Sequence, residues 1–453
     1  MKSFPLFTVV LVLVVATGAG AQGAPQQPQP PQTPQQPQEQ EPEKRKLATD
    51  PASALATGDW NVTVSGFGGY ELSKYGYGSP PVGDAASDVP LNLSSPSGGG
   101  SARLSMVKTT RHDSTLSFGG GATSSYYRTV GHAYTDANVY ASQATAIGRH
   151  TTVAAAESVS YAPYYSIGLF PGLGTYAGTE LSVPTVPTFD NATKLSPVFR
   201  YGAAGQLSHP FTDRTSFTAN YSIQLFNAES LVDSVTHDVG GRLSHTISKS
   251  FGVHAGYSFT TATYRGIPGN TGFHNIDVGV DLHKALSLSR RTVFSFSTGS
   301  TIVRRDVGSA SSGAHTEFRL LGGADLDQYI GRTWSARVSY VRDWQLLEGS
   351  LIPFFSDAVS AGIGGNAGRS VTIGLSTSYL IGSMLGAAGG AHDQALSGTA
   401  WLQYEIGRAL ATYVQYGYYL HRFESSGAGL NLPARFDRNA VRVGLTLVLP
   451  PGR

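Results

Sequence analysis

From Gly58 to Leu449 the chain repeats one texture: stretches of roughly 9 to 14 residues in which apolar and small polar side chains alternate with a period of two. Successive side chains of a β-strand point to opposite faces, so each stretch has one apolar and one polar face. Val441, Val443, Leu445, Leu447 and Leu449 share a face, against Arg442, Gly444 and Thr446. Leu396, Gly398, Ala400, Leu402, Tyr404 and Ile406 oppose Ser397, Thr399, Trp401, Gln403 and Glu405. Val235, Val239, Gly241, Leu243 and Ile247 oppose Thr236, Asp238, Gly240, Arg242 and Ser244. Strands of soluble sandwiches average about 5 or 6 residues, whereas strands of about 9 to 11 residues, tilted about 45°, cross a bilayer. The pattern predicts an all-β chain, a transmembrane antiparallel up-and-down β-barrel.

The connections alternate as well. Short polar turns are expected near His112-Asp113, Gly148-Arg149, Pro210 to Arg214, Ser248 to Ser250, Ser287 to Arg291, Gly331-Arg332, Gly368-Arg369 and Gly407-Arg408. Longer Gly/Pro/Ser-rich loops are expected at Ser73 to Gly100, Pro171 to Ser196, Arg265 to Asn270, Leu347 to Phe355, Gly382 to Asp393 and Glu424 to Asp437. Short turns on one side and long loops on the other are the rhythm of outer-membrane barrels, and it yields about 18 strands, 16 at the least. An even count puts both barrel ends on one side, read here as periplasmic. Glu157 falls on the apolar face of the stretch Thr151 to Ser166, so a bulge or register break is expected there.

Composition agrees. Only 14% of residues are Asp, Glu, Lys or Arg, against about 25% in soluble domains. There is no cysteine, which excludes disulfides and thiolate metal sites, and a net charge of +2 points to no nucleic-acid partner. Residues 1–21 read as a signal peptide: Lys2, an apolar run from Phe4 to Ala16, and Ala19-Gly20-Ala21 before the cut. Residues 22–57, rich in Pro and Gln with a charged patch from Glu39 to Lys46, read as a disordered periplasmic linker. The barrel is assigned to 58–449 and a periplasmic tail to 450–453.

Aromatic residues cluster near strand ends, as two interfacial girdles require. Phe118, Phe217, Phe251, Phe294 and Trp334 lie by the short turns. Tyr126, Tyr127, Tyr161, Tyr257, Phe259, Tyr340, Trp344, Tyr379 and Tyr418 lie by the loops. The polar faces carry charges of both signs that either line a pore or brace its wall: Arg200, Arg242, Arg319, Arg337 and Arg442, with Asp238, Asp277, Asp281, Glu317, Asp325, Asp327, Asp343 and Glu405. With small residues at most other polar-face positions, a water-filled lumen is expected at this strand number. Trp401, Gln403, Tyr413, Gln415, Tyr419 and His421 form an aromatic-polar strip that suits a sugar track or plain packing. His112, His150, His209, His245 and His283 come from different hairpins, so no metal site is expected. Neither G-x-S-x-G nor H-E-x-x-H occurs, and no catalytic residue and no cofactor is assigned.

The phrases Tyr404-Glu405-Ile406-Gly407-Arg408-Ala409 and Tyr329-Ile330-Gly331-Arg332-Thr333-Trp334, with the ending Asn439 to Leu447, resemble outer-membrane β-barrel proteins associated with bacterial exopolysaccharide loci. The resemblance implies a barrel that passes or helps to secrete polysaccharide, and it carries no catalytic residues. The last strand ends Leu447-Val448-Leu449 where many outer-membrane barrels end on an aromatic. The expected function is a passive channel for envelope polysaccharide or other hydrophilic solutes. The alternatives are a general diffusion porin, an outer-membrane hydrolase and a structural or adhesive barrel. Expected partners are outer-membrane lipid and the barrel-assembly machinery.

Overall fold

A computed structural model describes residues 60–76, 94–109, 114–148, 150–166, 192–229, 231–286, 291–305, 315–350, 353–384, 392–407, 409–423 and 434–449. The expectations for 1–57 and 450–453 lie outside these residues.

The strands in chain order are β1 Trp60–Gly76, β2 Ser95–Thr109, β3 Ser114–Tyr127, β4 His132–Ile147, β5 Thr151–Ala162, β6 Tyr165–Ser166 and β7 Ala192–Lys194. There follow β8 Val198–Pro210, β9 Thr215–Ala228, β10 Ser234–Ser248, β11 Phe251–Tyr264, β12 Ile267–Ala285, β13 Thr292–Arg305 and β14 His315–Ile330. The last are β15 Trp334–Leu346, β16 Pro353–Asn366, β17 Val371–Met384, β18 Asp393–Glu405, β19 Leu410–Arg422 and β20 Arg435–Leu449. β6 and β7 pair with each other in a small ribbon. The other strands form one closed sheet of 18 antiparallel strands, because β1 pairs with both β2 and β20. Closure leaves no free edge strand, so nearly all of the backbone hydrogen bonding is met within the wall.

The alternation decides which way each residue faces. Val441, Val443 and Leu445 are 46%, 52% and 53% exposed on the outside, while their neighbours Ala440 and Thr446 are buried inside. An outer surface of exposed Val, Leu, Ile, Phe and Tyr runs over every strand of the closed sheet. In water it would be a large aggregation-prone patch.

Short connections fall where the sequence placed them, between β4 and β5, β8 and β9, β10 and β11, β14 and β15, β16 and β17, and β18 and β19. Gly148, Gly331 and Gly368 occupy them with φ of 68°, 64° and 87°, a region that favours glycine. Trp60 and Leu449 lie at this same end. Two expectations are corrected. Arg265 to Asn270 is no long loop: β11 turns at Arg265-Gly266, with Gly266 at φ 76°, and β12 starts at Ile267. No bulge occurs at Glu157, which faces outward in a β5 paired without interruption to β4 and β8. Irregularities sit elsewhere: beside turns at Thr246/Ser248 and Thr263/Tyr264, and in mid-strand in β12, where the register against β13 shifts between Ile276 and Asp281. A sequence shows charge on a face but not which neighbour the ladder must stretch to meet.

Inner aromatics use neighbouring glycines as floors. A Cβ on Gly444 would sit 2.6 Å from the Tyr413 ring and 2.5 Å from the Gly66 carbonyl, and one on Gly374 would sit 2.5 Å from Trp401 Nε1. Gly444 lies on β20, beside the closure with β1. Gly444→Val is therefore expected to cost about 1–3 kcal/mol through overpacking. The check is the fraction of chain that shows heat-modifiable mobility on a gel, which should fall below wild type.

Candidate functional site

The loop end of the barrel is occupied. β15 and β16 run on as a hairpin whose tip, Leu347 to Ser350, leans into the lumen. Around the ring, β9 to β14 intervene between β8 and β15, yet the tip reaches β8. Arg200 Nε on β8 donates to Glu348 Oε2 at 2.6 Å. The Tyr165 hydroxyl donates to the Glu348 carbonyl at 2.7 Å. Gly349, at φ 77°, lies against Leu231, 3.1 Å from where its Cβ would be, so both its conformation and its contact call for glycine.

An apolar cluster surrounds this contact. Val198, Phe226 and Ala228 of the β8–β9 wall, Tyr165, Leu347, and Phe354, Ala358, Leu380, Met384 and Ala395 of the β16–β18 wall are buried together, with Leu231 and Phe423 beside them. Its members come from distant walls, so the cluster lies within the lumen. The sequence expectation of a lumen filled by water alone is corrected at this end. The loop Leu347 to Phe355 looked like any other, because an inward tip needs only a few apolar residues and a glycine.

Beneath the tip lies a cavity of about 520 Å³. The inner faces of β9 to β12 bound it with Thr218, Asn220, Ser222, Asp238, Thr260 and Asn275; Trp344, Leu346 and Leu347 of the hairpin close it above.

All the charged candidates occupy inner-face positions, and most meet one another. Arg242 Nη2 donates to Asp281 at 2.8 Å and its Nη1 lies 3.4 Å from Asp277. His254, which sequence reasoning passed over, joins them: Nδ1 is 2.9 Å from Asp281, and Nε2 is 2.9 Å from Asp277 and 3.0 Å from the Thr298 carbonyl. The β11–β12 register, unbroken at this point, brings the two aspartates to one histidine, since His254 stands opposite Gly279, with Asp277 and Asp281 two places to either side. Asp238 accepts from Asn220 at 3.0 Å and from Thr260 at 2.5 Å. Arg337 bonds Asp325 at 2.6 Å and lies 3.7 Å from Asp327. Arg319 pairs with Glu317. Asp343 accepts the Trp344 N–H at 2.7 Å, and Glu405 stands at the turn end of β18. Arg442 bonds Glu71 at 3.0 Å, and the Tyr127 hydroxyl donates to the same carboxylate at 2.9 Å. Glu71 and His254 were legible in principle: each is an ionisable residue on the polar face of a strand whose other polar-face residues are mostly small.

The strip Trp401, Gln403, Tyr413, Gln415, Tyr419 and His421 does share one inner face of β18 and β19. Trp401, Gln403, Tyr413, Tyr419 and His421 are buried, so it offers little free ring surface to a solute. Of the girdle aromatics, Tyr127 and Trp344 are corrected: Tyr127 points inward to Glu71, and the Trp344 indole stacks on Phe273, an inner residue of β12, at 3.6 Å. Among the described residues no three His, Asp or Glu side chains are grouped to hold a metal ion.

These features define a large closed β-barrel with an apolar exterior and a charged, partly filled interior. No family model matches the chain, and no curated protein matches it. Solved structures similar to it include Pseudomonas aeruginosa OccK5 (OpdH), at 12% identity and TM-score 0.43, covering 86% of this chain and 99% of that one. The FrpB iron transporter of Neisseria meningitidis (F5-1 variant) aligns at 11% identity and TM-score 0.47, covering 88% and 82%. Pseudomonas aeruginosa OpdK with vanillate aligns at 8% identity and TM-score 0.42, covering 86% and 98%. Likeness at this level brings neither substrate nor mechanism to this chain.

Proposed function

We propose that this chain is a passive outer-membrane channel for small hydrophilic solutes, narrowed by the β15–β16 tip. The observation that carries the reading is the division of faces: exposed apolar residues all round the outside of a closed barrel, and paired charges inside. An apolar exterior of this kind is stable in lipid, where a closed sheet satisfies its own backbone. Opposed charges along the lumen give a field that orients polar solutes without favouring one sign. In this reading the short turns and both barrel ends face the periplasm.

Envelope polysaccharide, the cargo that the sequence resemblance implies, fits less well. The tip crosses the lumen, and the aromatic strip is covered, so a polymer passes only when the tip swings away. The test is planar-bilayer recording of the purified protein. Discrete steps of conductance, falling as sugars of increasing size are added, are expected. No step at any voltage would sink the channel reading. Passage of long oligosaccharides through the wild-type protein would restore polysaccharide as the cargo.

A further inference from the structure

Among the described residues, the wall parts between β14 and β15. Their ladder runs from Ile330↔Trp334 to Gly322↔Arg342 and stops. Both strands go on. β14 continues down to His315, still paired to β13, and β15 continues to Leu346, still paired to β16. In register, Leu321, Leu320, Arg319 and Phe318 would face Asp343, Trp344, Gln345 and Leu346, but none of these bonds forms. The hairpin has leaned inward and left β14 behind.

The result is a lapped seam, in which the inner face of β14 overlies the outer face of the hairpin. Arg319 and Trp344 show it. Arg319 holds an inner position on β14, and Phe355 an outer one on β16, yet the guanidinium lies 5.2 Å from the ring. Arg342, at an outer position of β15, lies 5.2 Å from the same ring. Trp344 also holds an outer position, yet its indole stacks on Phe273 and donates Nε1–H to Asn275 inside the barrel. On the outside, Phe318 and Leu320 are 59% and 64% exposed, because no β15 side chains flank them. On the inside, Leu321, Trp344 and Leu346 line the cavity.

We propose that this seam is a lateral port through which a long-chain carboxylate passes between the outer surface of the barrel and the cavity; this rests on the outer face being membrane-embedded. The alkyl chain follows Phe318 and Leu320 outside and Trp344, Leu346 and Leu347 inside. The head meets Arg319 and Arg342. Each arginine side chain is 41% exposed and faces one carboxylate, Glu317 or Asp357. Five N–H groups on each leave donors for a further acceptor, and a planar carboxylate suits their fork.

The chain contains no cysteine, so a single engineered pair can close the seam. Wild-type protein in lipid nanodiscs is titrated with 12-bromododecanoate, and quenching of Trp344 fluorescence is read against the Trp344→Phe variant. Saturable quenching is expected. The double variant Leu321→Cys/Asp343→Cys, at the first positions past the last bonded pair, should bind when reduced and lose at least about tenfold in affinity when oxidised. Arg319→Gln/Arg342→Gln should weaken binding about tenfold, and 12-bromododecanol should bind wild type as weakly, the scale of a charge-assisted hydrogen bond. Equal quenching in the oxidised and reduced pair would mean that the ligand arrives by the barrel mouth and would overturn the port, as would no quenching in wild type. Equal binding of the alcohol would overturn the head-group assignment. Ion conductance of the wild-type protein is recorded on the same preparation: its absence counts against the channel alone, whereas quenching decides the port.

Discussion

Replacing Leu347 to Ser350 by two glycines is expected to raise ion conductance severalfold and to admit sugars that the wild-type protein excludes. The tip is the one described segment that leaves the wall and docks on the far side of the lumen. Its anchorage is concentrated in the Arg200–Glu348 pair, the Tyr165 hydrogen bond and the burial of Leu347, which is 2% exposed. Removing it opens the space beneath, since the cavity under the tip is already lined by small polar residues of β9 to β12. A milder change, Glu348→Gln, keeps the backbone but takes the anion from Arg200, whose side chain is 7% exposed. Loss of a partner from a buried donor costs about 1–3 kcal/mol. The docked tip then gives way for part of the time, which a bilayer recording shows as added noise between two levels. Liposome swelling with graded sugars measures the change in size limit. An unaltered limit in the glycine variant would mean that the tip does not set the width.

Glu71→Ala is expected to have the largest effect on stability. Glu71 is 0% exposed and stands on β1, where it accepts from Arg442 on β20 and from Tyr127 on β3. The three side chains therefore bind together the strands at which the barrel closes. Alanine leaves the Arg442 guanidinium, 15% exposed, without its carboxylate, and breaking a buried pair from one side costs about 3–5 kcal/mol. Tyr127→Phe removes one hydrogen bond and should cost about 0.5–1.5 kcal/mol. Replacing both partners, Glu71→Leu with Arg442→Leu, should recover much of the loss, because no buried charge remains. The temperature at which the barrel loses its compact gel mobility orders the variants. Wild-type behaviour of Glu71→Ala would show that closure rests on the backbone ladder alone.

The barrel was legible in the sequence because its rule is local. A period of two, read along β20 or β10, gives strand, faces and length at once, and the Gly-Arg phrases at 331–332 and 368–369 mark where the chain reverses. What the sequence hides depends on distant strands. Nothing near Glu348 says that Arg200 will meet it across the lumen. Nothing near Trp344 says that its strand will part from β14, because the alternation continues unbroken through the seam. The fault expected at Glu157 was sought where a charge broke the apolar pattern. The ladder instead yields at Ile276 to Asp281, where the inner face gathers Asp277, Asp281, His254 and Arg242. Charges on an inner face tell which residues can pair; the register tells which do.

The division of faces is the claim on which the rest depends, and β18 tests it most directly. Single cysteines at Leu396, Ala400 and Leu402 on the outer face, and at Ser397 and Thr399 on the inner face, carry a fluorophore in a chain with no other thiol. The protein is reconstituted in bilayers containing brominated lipid. Quenching is expected at 396, 400 and 402 and absent at 397 and 399. Quenching without that alternation, or none at any position, would contradict a barrel whose outer face meets lipid.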